Sequence, residues 1–401
     1  MSGIKPLLES YRKPLLAARK QDAERGGDAG SKRVAEEIGK EFSELQDKYS
    51  FEFRHLLECL LPEGQELLRD YRSGADVALL EAGGAGSSVA FTDFSNITGQ
   101  IIYSMIKEQF DTQPFLHTSM VDSKYTPYMN GEKIPGIGPL GDDGEVIPEG
   151  EAYPRAKLSE EYIELPETKK RGFIVDVTKE AVFGDRTGRV LETAASLGRS
   201  LGYEKEKRFL DLATGVTNSY KYNGNAIDTY GNNSGNHNWD NLIASNALAD
   251  YTDIEAAILA WDDMTHPITG EPIMPMGYQV LVPTDLVMTA RTIINATEYQ
   301  TVDNQVNAST GRFTSANPLA GMPFEIVSNA YVSARTGSTT TWFIGDFRKA
   351  FIYCYNHPLT VVQAPQNNSA EFERDIVASF KASERGSFGV IEPRYVIKCT
   401  A

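Results

Sequence analysis

At 401 residues, with 41% hydrophobic and 23% charged residues, the chain has the length and composition of a globular protein with a large core. Its net charge of −16 is unevenly spread: residues 1–75 hold 13 Lys+Arg against 14 Asp+Glu, and the remainder hold 26 against 41. An acidic body lacks the clustered cations that grip phosphates. No eighteen-residue apolar run offers a membrane span, and Cys59, Cys354 and Cys399 are too scattered for a disulfide framework or a zinc site.

Length alone suits two or three domains, or one elaborated domain. The opening Met1-Ser2-Gly3-Ile4-Lys5-Pro6 has no apolar signal-peptide core, so a reducing cytosol is the expected compartment. Val34, Ile38, Phe42, Leu45, Tyr49, Phe53, Leu56 and Leu60 then recur at spacings of 4, 4, 3, 4, 4, 3 and 4. This eleven-residue period keeps one apolar stripe along a nearly straight helix. Such a stripe suits a self-associating arm, or a helix packed on its own domain. A short helix from Gln65 to Tyr71 leads into Glu81-Ala82-Gly83-Gly84-Ala85-Gly86-Ser87-Ser88, the clearest linker in the chain.

Between residues 130 and 180, Pro135, Gly136, Gly138, Pro139, Gly141 and Gly144 precede an acidic run of Asp142, Asp143, Glu145, Glu149 and Glu151. With little to bury, the stretch reads as a long projecting hairpin, returning through Tyr162-Ile163-Glu164-Leu165 and Phe173-Ile174-Val175-Asp176-Val177. Phe173, Val175 and Val177 share one face, the pattern of a half-buried strand. Lys169, Lys170 and Arg171 form a compact basic cluster in the same region, and opposite charges on one projecting element suit contacts with neighbouring molecules. The acidic run lacks the spacing of a calcium loop.

A long helix follows, with Asp185 a candidate cap and Val190, Ala194, Leu197 and Leu201 at helical spacing. Running to about Ala213, it would span roughly 40 Å. Residues 215–241, rich in Asn, Gly and Tyr with no apolar period, read as a surface loop. Thr252-Asp253-Ile254-Glu255 has capping-box spacing ahead of a helix that places Ile254, Ile258 and Trp261 on one face. Tyr278–Val282 is a strand, Thr284 a candidate cap for a helix through Val287, Met288, Arg291 and Ile294, Asn317–Gly321 a turn, and Phe324–Val327 another strand.

Two patterns suggest catalysis and fail on context. Gly198-Arg199-Ser200-Leu201-Gly202 fits G-x-S-x-G, but its Ser lies inside a helical pattern rather than at a strand-to-helix turn. None of His55, His117, His237, His266 and His357 stands in a context that suggests a base. Gly136-Ile137-Gly138-Pro139-Leu140-Gly141 fits G-x-G-x-x-G, but acidic residues follow it where a helix would have to meet phosphate. No catalytic, metal or cofactor site is therefore expected.

The last sixty residues are the most telling. Gly345-Asp346-Phe347-Arg348-Lys349-Ala350-Phe351-Ile352-Tyr353 leads into Pro358-Leu359-Thr360-Val361-Val362; then come Phe372-Glu373-Arg374-Asp375-Ile376-Val377 and Glu384-Arg385-Gly386-Ser387-Phe388-Gly389-Val390. Physically these are apolar strands around a polar break, with a further strand pattern ending at Tyr395-Val396-Ile397. Arg374-Asp375 and Glu384-Arg385 suit ion pairs within or between subunits, worth about 0–1 kcal/mol where exposed. The run resembles the closing sheet of tailed-phage major capsid proteins of the Hong Kong 97 type. In that family an aspartate after a Gly opens one strand and an Arg-Asp pair begins the next. The order of elements over about residues 90–401 extends the likeness, while residues 1–80 attach to it by analogy only.

The resemblance implies an α+β fold of the Hong Kong 97 type. Its parts would be a scaffold-like helical arm (1–80), a linker and N-arm (81–130), an extended hairpin loop (131–180), a spine helix with peripheral domain and polar loop (181–240), an axial domain (241–335) and the closing peripheral sheet (336–401). Some relatives lose such an arm to a protease, and residues 75–90 are where that cut would fall. The implied function is assembly of the icosahedral shell enclosing phage DNA, in the virion after assembly in host cytoplasm; the alternative is an encapsulin-type compartment holding an enzyme. Implied partners are further copies, as hexamers and pentamers, and double-stranded DNA held without sequence-specific contacts, with room for portal, protease or decoration proteins and no membrane. The candidate interface residues are Glu149, Glu151, Lys169, Lys170, Arg171, Arg374, Asp375, Glu384 and Arg385.

Overall fold

A computed structural model describes residues 115–135, 162–178, 189–232, 239–265, 272–273, 277–302, 312–364 and 376–401, with isolated helical positions before residue 35. The chain enters this part through helix α1 (Leu116–Met120) and strand β1 (Asp122–Tyr125), followed by β2 (Lys133–Pro135), β3 (Tyr162–Glu164) and β4 (Lys169–Thr178). β2 and β3 pair antiparallel, with Lys133 opposite Glu164, so the chain leaves and returns side by side around residues 136–161. This is a hairpin base; the reach of the expected hairpin lies outside the described residues.

Helix α2 runs from Arg189 to Ala213, while its expected Asp185 cap lies outside the described residues. Its stop is a Schellman motif. Gly215 adopts a left-handed φ of +71°, its N–H donates to the Leu212 carbonyl (3.1 Å), and the Val216 N–H reaches back to the Asp211 carbonyl (2.9 Å). A Cβ at Gly215 would lie 2.7 Å from the Tyr230 ring, a second reason for glycine there.

The next segment corrects the surface-loop expectation. Residues 221–226 form a hairpin of β5 (Lys221–Tyr222) and β6 (Asn225–Ala226). Its turn residues Asn223 and Gly224 both have positive φ, the Asn-Gly turn whose twist matches paired strands. Tyr220, Tyr230, Trp239 and Asn241 are buried. Asn241 supplies the hydrogen bonds that regular structure would: it accepts from the Gly231 N–H and donates to the carbonyls of Thr229, Pro393 and Val396. A polar composition thus conceals a packed segment whose aromatic rings face inward.

Then come β7 (Leu242–Ile243), α3 (Tyr251–Asp262), β8 (Tyr278–Val282), a 3-10 turn (Thr284–Leu286), α4 (Val287–Asn295), β9 (Glu298–Val302), β10 (Arg312–Ala316), β11 (Phe324–Ser328) and α5 (Ala330–Thr336). Two caps differ from expectation. The capping box of α3 is Asp250 with Asp253, not Thr252 with Glu255: Asp250 accepts from the Thr252 N–H, and Asp253 accepts from the Asp250 N–H. Thr284 lies inside a 3-10 turn capped by no side chain, because Pro283 fixes the entry.

The chain closes through β12 (Trp342–Gly345), α6 (Phe347–Ala350), β13 (Phe351–Gln363), β14 (Ile376–Val390), a 3-10 turn (Pro393–Tyr395) and β15 (Val396–Cys399). Pro358 sits within β13, which borders β1 in the sheet order β1-β13-β14-β4. β1 itself pairs only with Ile352–Tyr355, ahead of the proline.

The chain divides into two compact units: Met1–Pro114, Lys170–Tyr203 and His357–Glu384; and Phe115–Lys169, Glu204–Asn356 and Arg385–Ala401. The second contains a five-stranded sheet of order β11-β8-β12-β15-β7. Strand alternation sorts its residues between two cores. Val280, Val282, Trp342, Ile344, Ile397 and Cys399 pack with Ile254, Ala257 and Trp261 of α3 and with Ala290 and Ile294 of α4. Leu281, Phe343 and Val396 face the other way, into a core shared by Phe209, Leu210 and Ala213 of α2 and Val332 of α5. The described part of the first unit comprises β4 from Lys170, the first part of α2, the later half of β13 and the first half of β14.

Candidate functional site

The basic cluster at residues 169–171 starts β4, the terminal strand of its four-stranded sheet. On its inner edge β4 is held closely to β14. A Cβ at Gly172 would lie 2.3 Å from the Ala382 carbonyl oxygen, so only glycine fits there. Four residues on, the Ser379 hydroxyl donates to Asp176 (2.6 Å). Lys169 and Lys170 are exposed and Arg171 is half-buried.

The half-buried face expected of this strand is absent at Phe173. Phe173 is 42% exposed and Ile174, pointing to the opposite face, 66%. Val362 on β13 is 52% exposed. Apolar side chains thus emerge on both faces of β4.

Of the other candidates, Glu149, Glu151, Arg374 and Asp375 lie outside the described residues, as does the stripe from Ile38 to Leu60, with Val34 at a described helical position. Glu384 and Arg385 do not form an exposed pair. Adjacent strand residues point to opposite faces; Glu384 is buried, and the half-buried Arg385 donates from Nε to the Thr168 hydroxyl (3.2 Å).

One buried polar cluster escaped the sequence reading. Glu206, 1% exposed, accepts from the backbone N–H groups of Leu116 (2.9 Å) and His117 (3.2 Å) and from the Asn329 amide (3.1 Å), and lies 2.8 Å from His117 Nδ1. Its charged neighbours in Glu204-Lys205-Glu206-Lys207-Arg208 make it look like part of a solvated face. Its phase was the available signal, since Gly202, Glu206, Phe209 and Ala213 follow the 4-3-4 spacing of the buried stripe. A second tie runs from Arg335 of α5, paired through two nitrogens with Asp211. Both arrangements clamp α2 to its surroundings, and neither leaves a group poised for chemistry.

The catalytic decoy resolves in the same direction. Ser200 is helical and its hydroxyl donates to the Ser196 carbonyl (3.0 Å), with no strand-to-helix elbow. Among the described residues no cluster of three or more His, Cys, Asp or Glu could hold a metal ion. An open depression of about 360 Å³ is lined by Gln279, Glu325, Asp346 and Arg348, where the Gln279 amide already donates to Glu325 (2.7 Å). Cys354 and Cys399 are buried free thiols. Burial pushes Cys354 up to about 11 and Cys399 higher still. Neither thiol ionises near neutrality, so both should resist a thiol reagent at pH 8 until denaturant is added. Labelling followed by peptide mass spectrometry checks this, and native modification at either position would contradict it.

The family model described as "Phage capsid protein" matches residues 162–399. Among solved structures, the chain is similar to the capsid of the cyanophage P-SCSP1u, with 14% identity, a TM-score of 0.44, and coverage of 72% of this chain and 88% of that one. It is similar to the capsid of the native GTA particle at 10% identity, TM-score 0.42, over 71% and 88%. The encapsulin of the holo-SrpI complex from Synechococcus elongatus PCC 7942 gives 12% identity and a TM-score of 0.41 over 72% and 87%. No curated protein sequence matches the chain.

Proposed function

The chain belongs to the phage capsid protein family, and from that premise we propose how a major capsid protein of this sequence builds its shell. Such a protein is a structural, non-catalytic component, and its work is association with copies of itself. The observation that carries this reading is the family match over residues 162–399, more than half of the chain. The compartment alternative is not favoured, because the matching family is that of phage capsids.

We assign the architecture to the Hong Kong 97 type. Helix α2 takes the place of the spine, the five-stranded sheet with α3, α4 and α5 that of the axial domain, and the hairpin based on β2 and β3 that of the extended loop. The order of these elements supports the assignment. Each subunit contributes several modest contacts, and closed symmetry turns their sum into a stable shell of hexamers and pentamers. The acidic body suits a wall that encloses DNA without gripping it, since like charge keeps the polymer mobile against the surface. Assembly in host cytoplasm, and any portal, protease or decoration protein, belong to the same proposal.

The test is the size of the full-length chain after purification. Gel filtration followed by negative-stain imaging should show closed particles or flat rings of five and six subunits. A stable monomer near 44.2 kDa at all concentrations and salt conditions would overturn the assembly reading.

A further inference from the structure

We propose that Asn223 is a positioning residue for assembly: it pins Tyr162, where the chain returns from residues 136–161, and so fixes the base from which that hairpin meets a neighbouring subunit. This rests on the assembly reading above and on the assignment of the hairpin to the extended loop. β2 and β3 set Lys133 opposite Glu164 and Pro135 opposite Tyr162, so the chain leaves and returns at the second pair. Whatever holds Tyr162 therefore sets the direction of the segment beyond it.

The hold comes from β5. It lies antiparallel to β3 with Ile163 opposite Tyr222, which brings Asn223 across from Tyr162. In a regular ladder two residues so placed can exchange both backbone bonds. Here one is such a bond: the Asn223 N–H donates to the Tyr162 carbonyl (3.0 Å). Asn223 itself has a φ of +50° in the turn joining β5 to β6, and the return bond goes to its side chain, with the Tyr162 N–H donating to Oδ1 (3.0 Å). The side-chain oxygen thus stands in for a ladder carbonyl where the backbone turns away. Asn and Asp meet both conditions, a left-handed turn residue that carries an acceptor; glycine meets only the first. Behind this pair, Ile163 is buried in the core that holds Phe209 and Leu210 of α2, and Tyr222 packs against the same core. The hairpin base is therefore referred to the helix. Across the hairpin, Lys133 lies 3.2 Å from Glu164 and 4.3 Å from the Tyr162 ring centroid, but it is 61% exposed, and salt screens such a pair. The bond to Asn223 persists at high salt.

Two variants of the full-length protein test this. Asn223→Gly keeps the turn and removes only the side-chain oxygen; Asn223→Asp keeps both. Hydrogen exchange in dissociated subunits, read by mass spectrometry on peptides covering residues 162–165, should be about fivefold faster in N223G and unchanged in N223D. N223G should also need a several-fold higher protein concentration than wild type to form closed particles, and N223D should not. Recovery with Asp ties the effect to the acceptor oxygen. Wild-type exchange at residues 162–165 in N223G overturns the anchor. Exchange in β8 that rises by the same factor shows a general loss of stability and overturns it too. Fast local exchange with wild-type assembly overturns the positioning role, as does N223D behaving like N223G. A wild-type chain that never assembles defeats the capsid reading instead. Exchange in N223G then decides the anchor alone: local acceleration upholds it, and wild-type exchange overturns it.

Discussion

Glu206→Ala should lower the free energy of unfolding by about 3–5 kcal/mol, the usual cost of removing one partner from a buried charged cluster. The carboxylate is 1% exposed and receives the Leu116 and His117 backbone N–H groups and the Asn329 amide, with the His117 ring at 2.8 Å. Truncation strands these groups away from water, and each unsatisfied donor carries a cost of its own. Glu206→Gln separates shape from acceptor capacity. It keeps the volume but turns an N–H₂ toward donors that had faced an oxygen, so it should recover less than half of the loss. Denaturant unfolding followed by tryptophan fluorescence reads both. A Gln variant as stable as wild type would mean that packing, not acceptance, is the role of Glu206.

Phe209→Ala is the second large effect. The ring is fully buried on α2, set edge-on to Phe351 with centroids 6.2 Å apart and tilted against Phe388 at 5.7 Å. It thereby fixes the helix against the first residue of β13 and the last part of β14. Removing it leaves a cavity bounded by two rings that cannot both collapse inward, for an expected cost of about 3–5 kcal/mol. Phe209→Leu, which leaves less void, should cost about 1–2 kcal/mol. Equal midpoints of heat denaturation for the two variants would show that the site relaxes and that the void account is wrong.

How far the sequence could be read depended on whether a residue's partner was local. The strand at Tyr278–Val282 and the helix face of Ile254, Ile258 and Trp261 were legible, because each is written in short-range periodicity. The packed segment 215–241 was not: Asn241 works through carbonyls at residues 393 and 396, which no local pattern reveals. Asp250 was missed as the cap of α3 because a second box-like spacing lay two residues downstream. At β4 the alternation was real, yet it foretold a buried face where Phe173 is exposed. Period-2 patterning says that a strand has two unlike sides; it does not say which molecule covers them.

The position of β15 bears on when the subunit becomes competent. It runs between β12 and β7, antiparallel to the first and parallel to the second, and its Ile397 and Cys399 complete the core under α3 and α4. Until residue 399 has left the ribosome, β12 has no neighbour on that side and half of the sheet is unsupported. The sheet and the core beneath α3 and α4 are thus completed last, by long-range pairings of the slow kind. A chain interrupted before residue 396 therefore lacks both the strand that joins β12 to β7 and the Ile397 and Cys399 side chains of that core.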